Sequence, residues 1–78
     1  MQPDLHAMAE EHLVQAEEAV VLGLHHIERQ NRLIEKIRGQ GRDVKAAIAF
    51  LGTLLDCQKS HTHHRDRLRG DLARLRRK

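Results

Sequence analysis

Aromatic side chains are almost absent from this chain: among 78 residues there is no Trp and no Tyr, and Phe50 is the lone Phe. An aromatic core is therefore excluded, and burial has to come from Leu, Ile, Val and Ala, the residues that fill helix bundles. Cysteine is as scarce. The single Cys57 rules out an intramolecular disulfide and makes a stapled secreted fold a poor fit. Long hydrophobic runs are missing too: the longest nearly apolar stretch, 46–55, falls far short of the about 20 residues that a membrane span needs. The opening Met1-Gln2-Pro3-Asp4 has no basic segment leading into an apolar run, the mark of a secretory signal. These absences lead us to expect a cytoplasmic protein without membrane association.

What is present is organised around one short stretch. Arg38-Gly39-Gln40-Gly41-Arg42-Asp43 is the only place where helix-breaking residues cluster, and it lies near the midpoint. Glycine accepts positive φ and so ends helices, while Asp is a favoured N-cap. The stretch reads as a helix stop, a tight reversal and a helix start. The expectation is an all-α antiparallel two-helix hairpin, helices near 3–38 and 43–76, forming one unit over 1–78. A chain this short is near the limit for burying a self-sufficient core, so help from a partner is expected.

In the first arm Pro3 suits the first turn of a helix, and Asp4, Glu10 and Glu11 place negative charge toward the positive end of its dipole. Leu13, Ala16, Val20, Leu24, Ile27, Ile34 and Ile37 then recur at three- and four-residue steps, with Leu13, Val20, Ile27 and Ile34 each seven apart. Gln30 and Asn31 interrupt this stripe, and one of them is expected to fix register as a polar seam residue does. Gly23 either admits close approach of a facing helix or is a tolerated weak point. Val14, Val21 and Leu22 make the apolar face wider than a two-helix contact needs.

The second arm carries a stripe of Val44, Ala47, Ile48, Leu51, Leu54 and Leu55, with Ala46, Ala49 and Phe50 filling most of the remaining circumference. A helix that is apolar nearly all round is enclosed on more than one side. One partner arm cannot do that, whereas two hairpins in a dimeric four-helix bundle can. The expected self-association residues are Leu13, Val20, Leu24, Ile27, Ile48, Phe50, Leu51 and Leu55. Farther on, Gln58, His61, Thr62 and Arg65 take the inward phase before Leu68, Leu72 and Leu75 restore it, so the distal half reads as weakly packed and prone to fray toward Lys78.

Charge is divided between the arms. Residues 1–37 carry seven acids against three bases, and residues 38–78 carry eleven bases against four acids. A reversal between Gln40 and Gly41 sets Glu10 beside Asp71, Glu17 beside His64 and Asp4 near Arg77. One turn either way brings Glu10, Glu11, Glu17 and Glu18 within reach of Arg65, Arg67, Arg69 and Arg74. Such pairs favour the antiparallel register more than they add stability.

Three constellations bear on chemistry. Cys57, His61 and His64 stand at i, i+4 and i+7 on one helical face, and the register brings Glu17 alongside; sulfur, nitrogen and oxygen donors of this kind suit zinc, the one cofactor the sequence suggests. Solvated surface histidines are the plainer explanation. In His25-His26 only one ring can face the partner arm, where Asp56 is the expected neighbour of His25. The third is the basic tail 65–78, in which Arg65, Arg67, Arg69 and Arg74 are candidate anion contacts. Absence of stacking aromatics and a facing acidic arm argue against nucleic acid. Enzymatic machinery is not visible, since no serine joins a His–Asp pair and no Gly-rich phosphate loop follows a strand.

Finally, His26-Ile27-Glu28-Arg29-Gln30, Gly41-Arg42-Asp43, Leu54-Leu55, His61 and His64-Arg65-Asp66-Arg67-Leu68 together resemble a group of short, uncharacterised bacterial proteins. These share an H-I-x-x-Q segment, a G-x-D turn and an H-R-D-R-L or similar ending, and the likeness covers roughly 25–72. It implies a helical hairpin and no known activity. Val44 departs from the threonine common in that group, which leaves Asp43 as the obvious cap. The function expected is a small, non-catalytic, self-associating interaction or scaffold module, open to an unidentified protein partner, with a metal-binding hairpin through its Cys and His residues or a weak nucleic-acid binder through the basic arm as the alternatives.

Overall fold

Two helices joined by a tight reversal make up the whole architecture of the computed structural model, which describes residues 4–77. Helix α1 is Leu5–Gly39 and helix α2 is Lys45–Arg76, packed antiparallel along their length. The expected all-α hairpin is therefore present, and no helix among the described residues is long and apolar enough to cross a membrane. The role read for Pro3 and the fraying at Lys78 lie outside the described residues.

Asp4 is the N-cap of α1: its Oδ1 accepts the backbone N–H groups of His6 at 3.0 Å and Ala7 at 3.2 Å. Two donors that a helix start leaves free are thus satisfied. At the other end Gly41 has φ +70, the left-handed conformation. Its N–H donates to Arg38 O at 3.0 Å, and Arg42 N–H reaches back to Ile37 O at 3.2 Å. This paired pattern is a Schellman motif, and it identifies Gly41, rather than Gly39, as the residue that turns the chain.

The start of α2 differs from expectation by two residues. Val44 is the N-cap and provides no side-chain bond, while Asp43 Oδ1 accepts Lys45 N–H at 2.9 Å. Asp43 still fixes the approach to the helix, but through an Asx-type bond two residues on. Val44 is drawn into the cap position because it is the first half-buried residue of the seam.

Burial follows mainly an alternation of three- and four-residue steps, with Ala19, Thr62 and Asp71 half-buried beside it. On α1 it selects Ala9, Leu13, Ala16, Val20, Gly23, Ile27, Gln30, Ile34 and Ile37; on α2 it selects Val44, Ala47, Leu51, Leu54, Gln58, His61, Arg65, Leu68, Leu72 and Leu75. That period of 3.5 is the seam of a coiled coil. Leu24, Ile48 and Leu55 belong just outside it, half exposed at 50%, 46% and 44%. Their expected place in the stripe is corrected for a simple reason. Gly23 takes the seam position next to Leu24, and Ala47 and Leu54 take those next to Ile48 and Leu55.

Two glutamines cross the seam. Gln30 Nε2 donates to Ala47 O at 2.8 Å, and Gln58 Nε2 donates to Val20 O at 2.9 Å. Gln30, buried, is the register residue; Asn31 is exposed. Gln58 lies directly over Gly23, where a Cβ would meet its Oε1 at 1.8 Å. Gly23 therefore serves close approach. Stepping seven residues along each helix from this pair sets Arg65 opposite Ala16 and Leu72 opposite Ala9, so long side chains of α2 lie over small residues of α1. Leu72, at 3% exposure, is the most enclosed apolar residue, and α2 stays helical to Arg76. The distal half is better packed than its polar phase suggested.

Candidate functional site

A coiled-coil hairpin has two flanks beside its seam, and the ion pairs between helices mark one of them. Arg69 Nη2 lies 3.6 Å from Glu17 Oε1, and Arg76 Nη2 lies 3.6 Å from Glu10 Oε1. Glu17 thus meets Arg69, one of the bases expected within its reach, and Glu10 meets Arg76. Moving seven residues toward the turn along each helix places Leu24, Asn31 and Arg38 of α1, with Thr62, Leu55 and Ile48 of α2, on this same flank. Val14 and Val21 continue it outward, lining a shallow groove with Leu22, Glu17, Glu18 and His25.

The opposite flank has a different character. Near the turn Leu33 and Phe50 line one groove with His26 and Leu54. Toward the open end His64 of α2 and His12 of α1 border another, over Ala16 and Ala19. Cys57 is exposed and free.

The four residues considered for zinc are distributed over these surfaces. His61 turns into the seam and is half-buried, and Cys57 and His64 are two turns apart, about 10 Å along the axis. Glu17 is tied to Arg69 on the other flank. Among the described residues no cluster of three or more His, Cys, Asp or Glu side chains is placed to hold a metal ion. The expected His25–Asp56 contact does not form. His25 Nδ1 is 3.9 Å from Glu28 Oε2 on its own helix, and Asp56 borders Gly52, Leu55 and Lys59.

The basic arm is largely engaged with carboxylates. Besides Arg69 and Arg76, Arg65 Nη2 is 3.0 Å from Asp66 Oδ1, and Arg74 pairs with Asp71. Of the four candidate anion contacts, Arg67 is the one without an ion pair among the described residues; it lies beside His63 and Gly70 on the outer face.

Of the eight expected self-association residues, Val20 is buried inside the hairpin and Leu13, Ile27 and Leu51 are half-buried in its seam. Leu24, Ile48, Phe50 and Leu55 are exposed, together with Leu5, Met8, Val14, Val21, Leu22 and Leu33. Leu33 went unnoticed in the sequence although its spacing places it: it directly precedes seam residue Ile34, as His26 precedes Ile27. The accessible surface is 6260 Å². A folded monomer of 9.0 kDa is expected to expose about 4,850 Å², so about 1,400 Å² is in excess. The shape accounts for it: a rod of 61 × 17 × 17 Å with a radius of gyration of 17.9 Å, where about 11.5 Å suits a globule of this length.

Comparison with protein-family models, with curated proteins and with solved structures found no match.

Proposed function

We propose that this chain is a small, non-catalytic interaction module that associates with a second copy of itself to form a four-helix bundle and serves as a scaffold in that form. The observation that carries the reading is the excess surface. About 1,400 Å² per chain is the scale that each subunit buries in an obligate dimer, for which total interfaces run from about 2,000 Å² upward. Ten large apolar side chains exposed among the described residues supply the chemistry for that burial. The pairing of Arg65, Arg69, Arg74 and Arg76 with carboxylates supports protein association over nucleic acid, because those charges are already neutralised in part.

Sedimentation equilibrium across micromolar concentrations, with circular dichroism on the same samples, tests this. The expected result is a helical species of twice the chain mass whose melting temperature rises with concentration. A fully helical species of 9.0 kDa at micromolar concentration refutes it.

A further inference from the structure

We propose that the second copy docks on the flank bearing Leu24, Ile48 and Leu55, with both turns at the same end of the bundle. This rests on the self-association proposed above and adds which face and which orientation it uses. The two flanks are unequal in what they offer. The flank marked by Glu17–Arg69 and Glu10–Arg76 is charged near the open end, and toward the turn it carries one large apolar residue at each successive heptad level, Leu24 beside Thr62, Leu55 beside Asn31 and Ile48 beside Arg38. Val14 and Val21 widen it. The other flank carries imidazoles at His12, His26 and His64, with apolar cover at Leu33, Phe50 and Leu54 near the turn and at Ala19 farther out. One side of a rod of 61 × 17 Å offers on the order of 1,000 Å², above the about 800 Å² per partner of a stable interface.

Orientation follows from the order of levels along that flank. With the turns together, a twofold axis parallel to the rods sets each α1 beside the partner's α2, antiparallel to it. Each level then meets its own kind. Glu17 and Arg69 alternate around the axis with the partner's Arg69 and the partner's Glu17, and Glu10 and Arg76 do the same one level out. The acidic start of α1 gains a second basic neighbour for Glu10 and Glu17 in the partner's α2. Leu24, Leu55 and Ile48 stand at the level of their own copies across the axis, with Thr62, Asn31 and Arg38 beside them. With the turns at opposite ends the match is lost. The Glu17–Arg69 level would fall against Asn31 and Leu55, and the Glu10–Arg76 level against Arg38 and Ile48, so that Glu10 alone gains an opposite charge while Glu17, Arg69 and Arg76 are desolvated against uncharged surface.

A nitroxide placed on the turn, at Gln40→Cys in a Cys57→Ser background, reads the orientation by electron–electron double resonance on the full chain. Interhelical spacings of 8–10 Å put the two turns roughly 20 Å apart in the proposed assembly. Turns at opposite ends of a 61 Å rod give a distance of that order instead, which overturns the orientation while leaving self-association intact. A sample of chain mass 9.0 kDa without dipolar coupling overturns self-association itself. The flank is read separately by sedimentation: Leu55→Glu is expected to lower the mass to that of one chain, and Phe50→Glu to leave the dimer. Dissociation by Phe50→Glu overturns the choice of flank. If Leu55→Glu loses its helical signal, Leu24→Glu provides the same reading.

Discussion

The contact between Gly23 and Gln58 makes a prediction whose sign opposes the usual rule for glycine in a helix. Alanine replacing a helical glycine in open space stabilises by about 0.8–1 kcal/mol, and Gly70, where an added Cβ would meet no other group within 4 Å, is such a site. At Gly23 the same backbone gain is met by a Cβ that would stand 1.8 Å from Gln58 Oε1 and 2.8 Å from its Cδ. The glutamine must swing away, breaking its 2.9 Å bond to Val20 O. Loss of that bond costs about 0.5–1.5 kcal/mol, and an amide left buried without a partner raises the cost to about 1–3 kcal/mol. Gly23→Ala is therefore expected to be neutral to about 2 kcal/mol destabilising, where Gly70→Ala stabilises. Urea denaturation followed by circular dichroism, at one protein concentration, measures both. The decisive quantity is the double-mutant cycle with Gln58→Ala, in which Gly23→Ala should recover the full alanine gain. A coupling below about 0.5 kcal/mol refutes the argument, because that is the scatter of independent sites.

Three further outcomes follow from the same geometry. Gly41→Ala forces a Cβ into the left-handed conformation at φ +70 and should cost about 1–2 kcal/mol, seen as a lower melting temperature, whereas Gly39→Ala should not. Asp4→Ala removes the acceptor for His6 and Ala7 N–H and should cost about 0.5–2 kcal/mol in urea, with Asp4→Asn retaining most of the stability. Gln30→Leu removes a buried amide together with its bond to Ala47 O; we expect stability to hold or rise while native mass spectrometry shows mixed oligomers, since a polar seam residue contributes register more than energy.

Much of this fold is legible from the order of residues. The glycines at 39 and 41 and the heptad of Leu13, Val20, Ile27 and Ile34 specify a hairpin and one of its seams without further information. The inward phase of Gln58, His61 and Arg65 is readable too, because it continues the spacing of Leu51 and Leu54. The second line of the α1 seam is where spacing alone misleads. Leu24 is the larger apolar side chain, yet Gly23 takes the inward position, since only a residue without a Cβ leaves room for Gln58. Hydrophobicity ranks Leu24 above Gly23; steric demand from the opposite helix reverses the order. The same blindness affects the cap at Asp43, where a carboxylate bonds Lys45 N–H while Val44 packs into the seam. The candidate ligands Cys57 and His64 share a face, but rise along the axis separates them, and a face is not a site.

These substitutions of size for polarity bear on the self-association proposed above. Ala9, Ala16 and Gly23 bury little apolar surface themselves, and the α2 residues over them include an amide and a guanidinium. Only Ala16, Val20, Ile34 and Leu72 are apolar and buried among the described residues. A seam so constructed discriminates between registers, because a shift by one heptad would put Gln58 against Ala16 or Gln30, where a side chain fills the notch that Gly23 leaves open. It contributes correspondingly little hydrophobic free energy, about 1.5–3 kcal/mol for each fully buried large side chain. In the proposed dimer, selection of register and supply of stability are thus assigned to different surfaces. The seam aligns the two helices through Gln30 and Gln58, and the flank that carries Leu24, Ile48 and Leu55 holds the apolar area that the seam gave up.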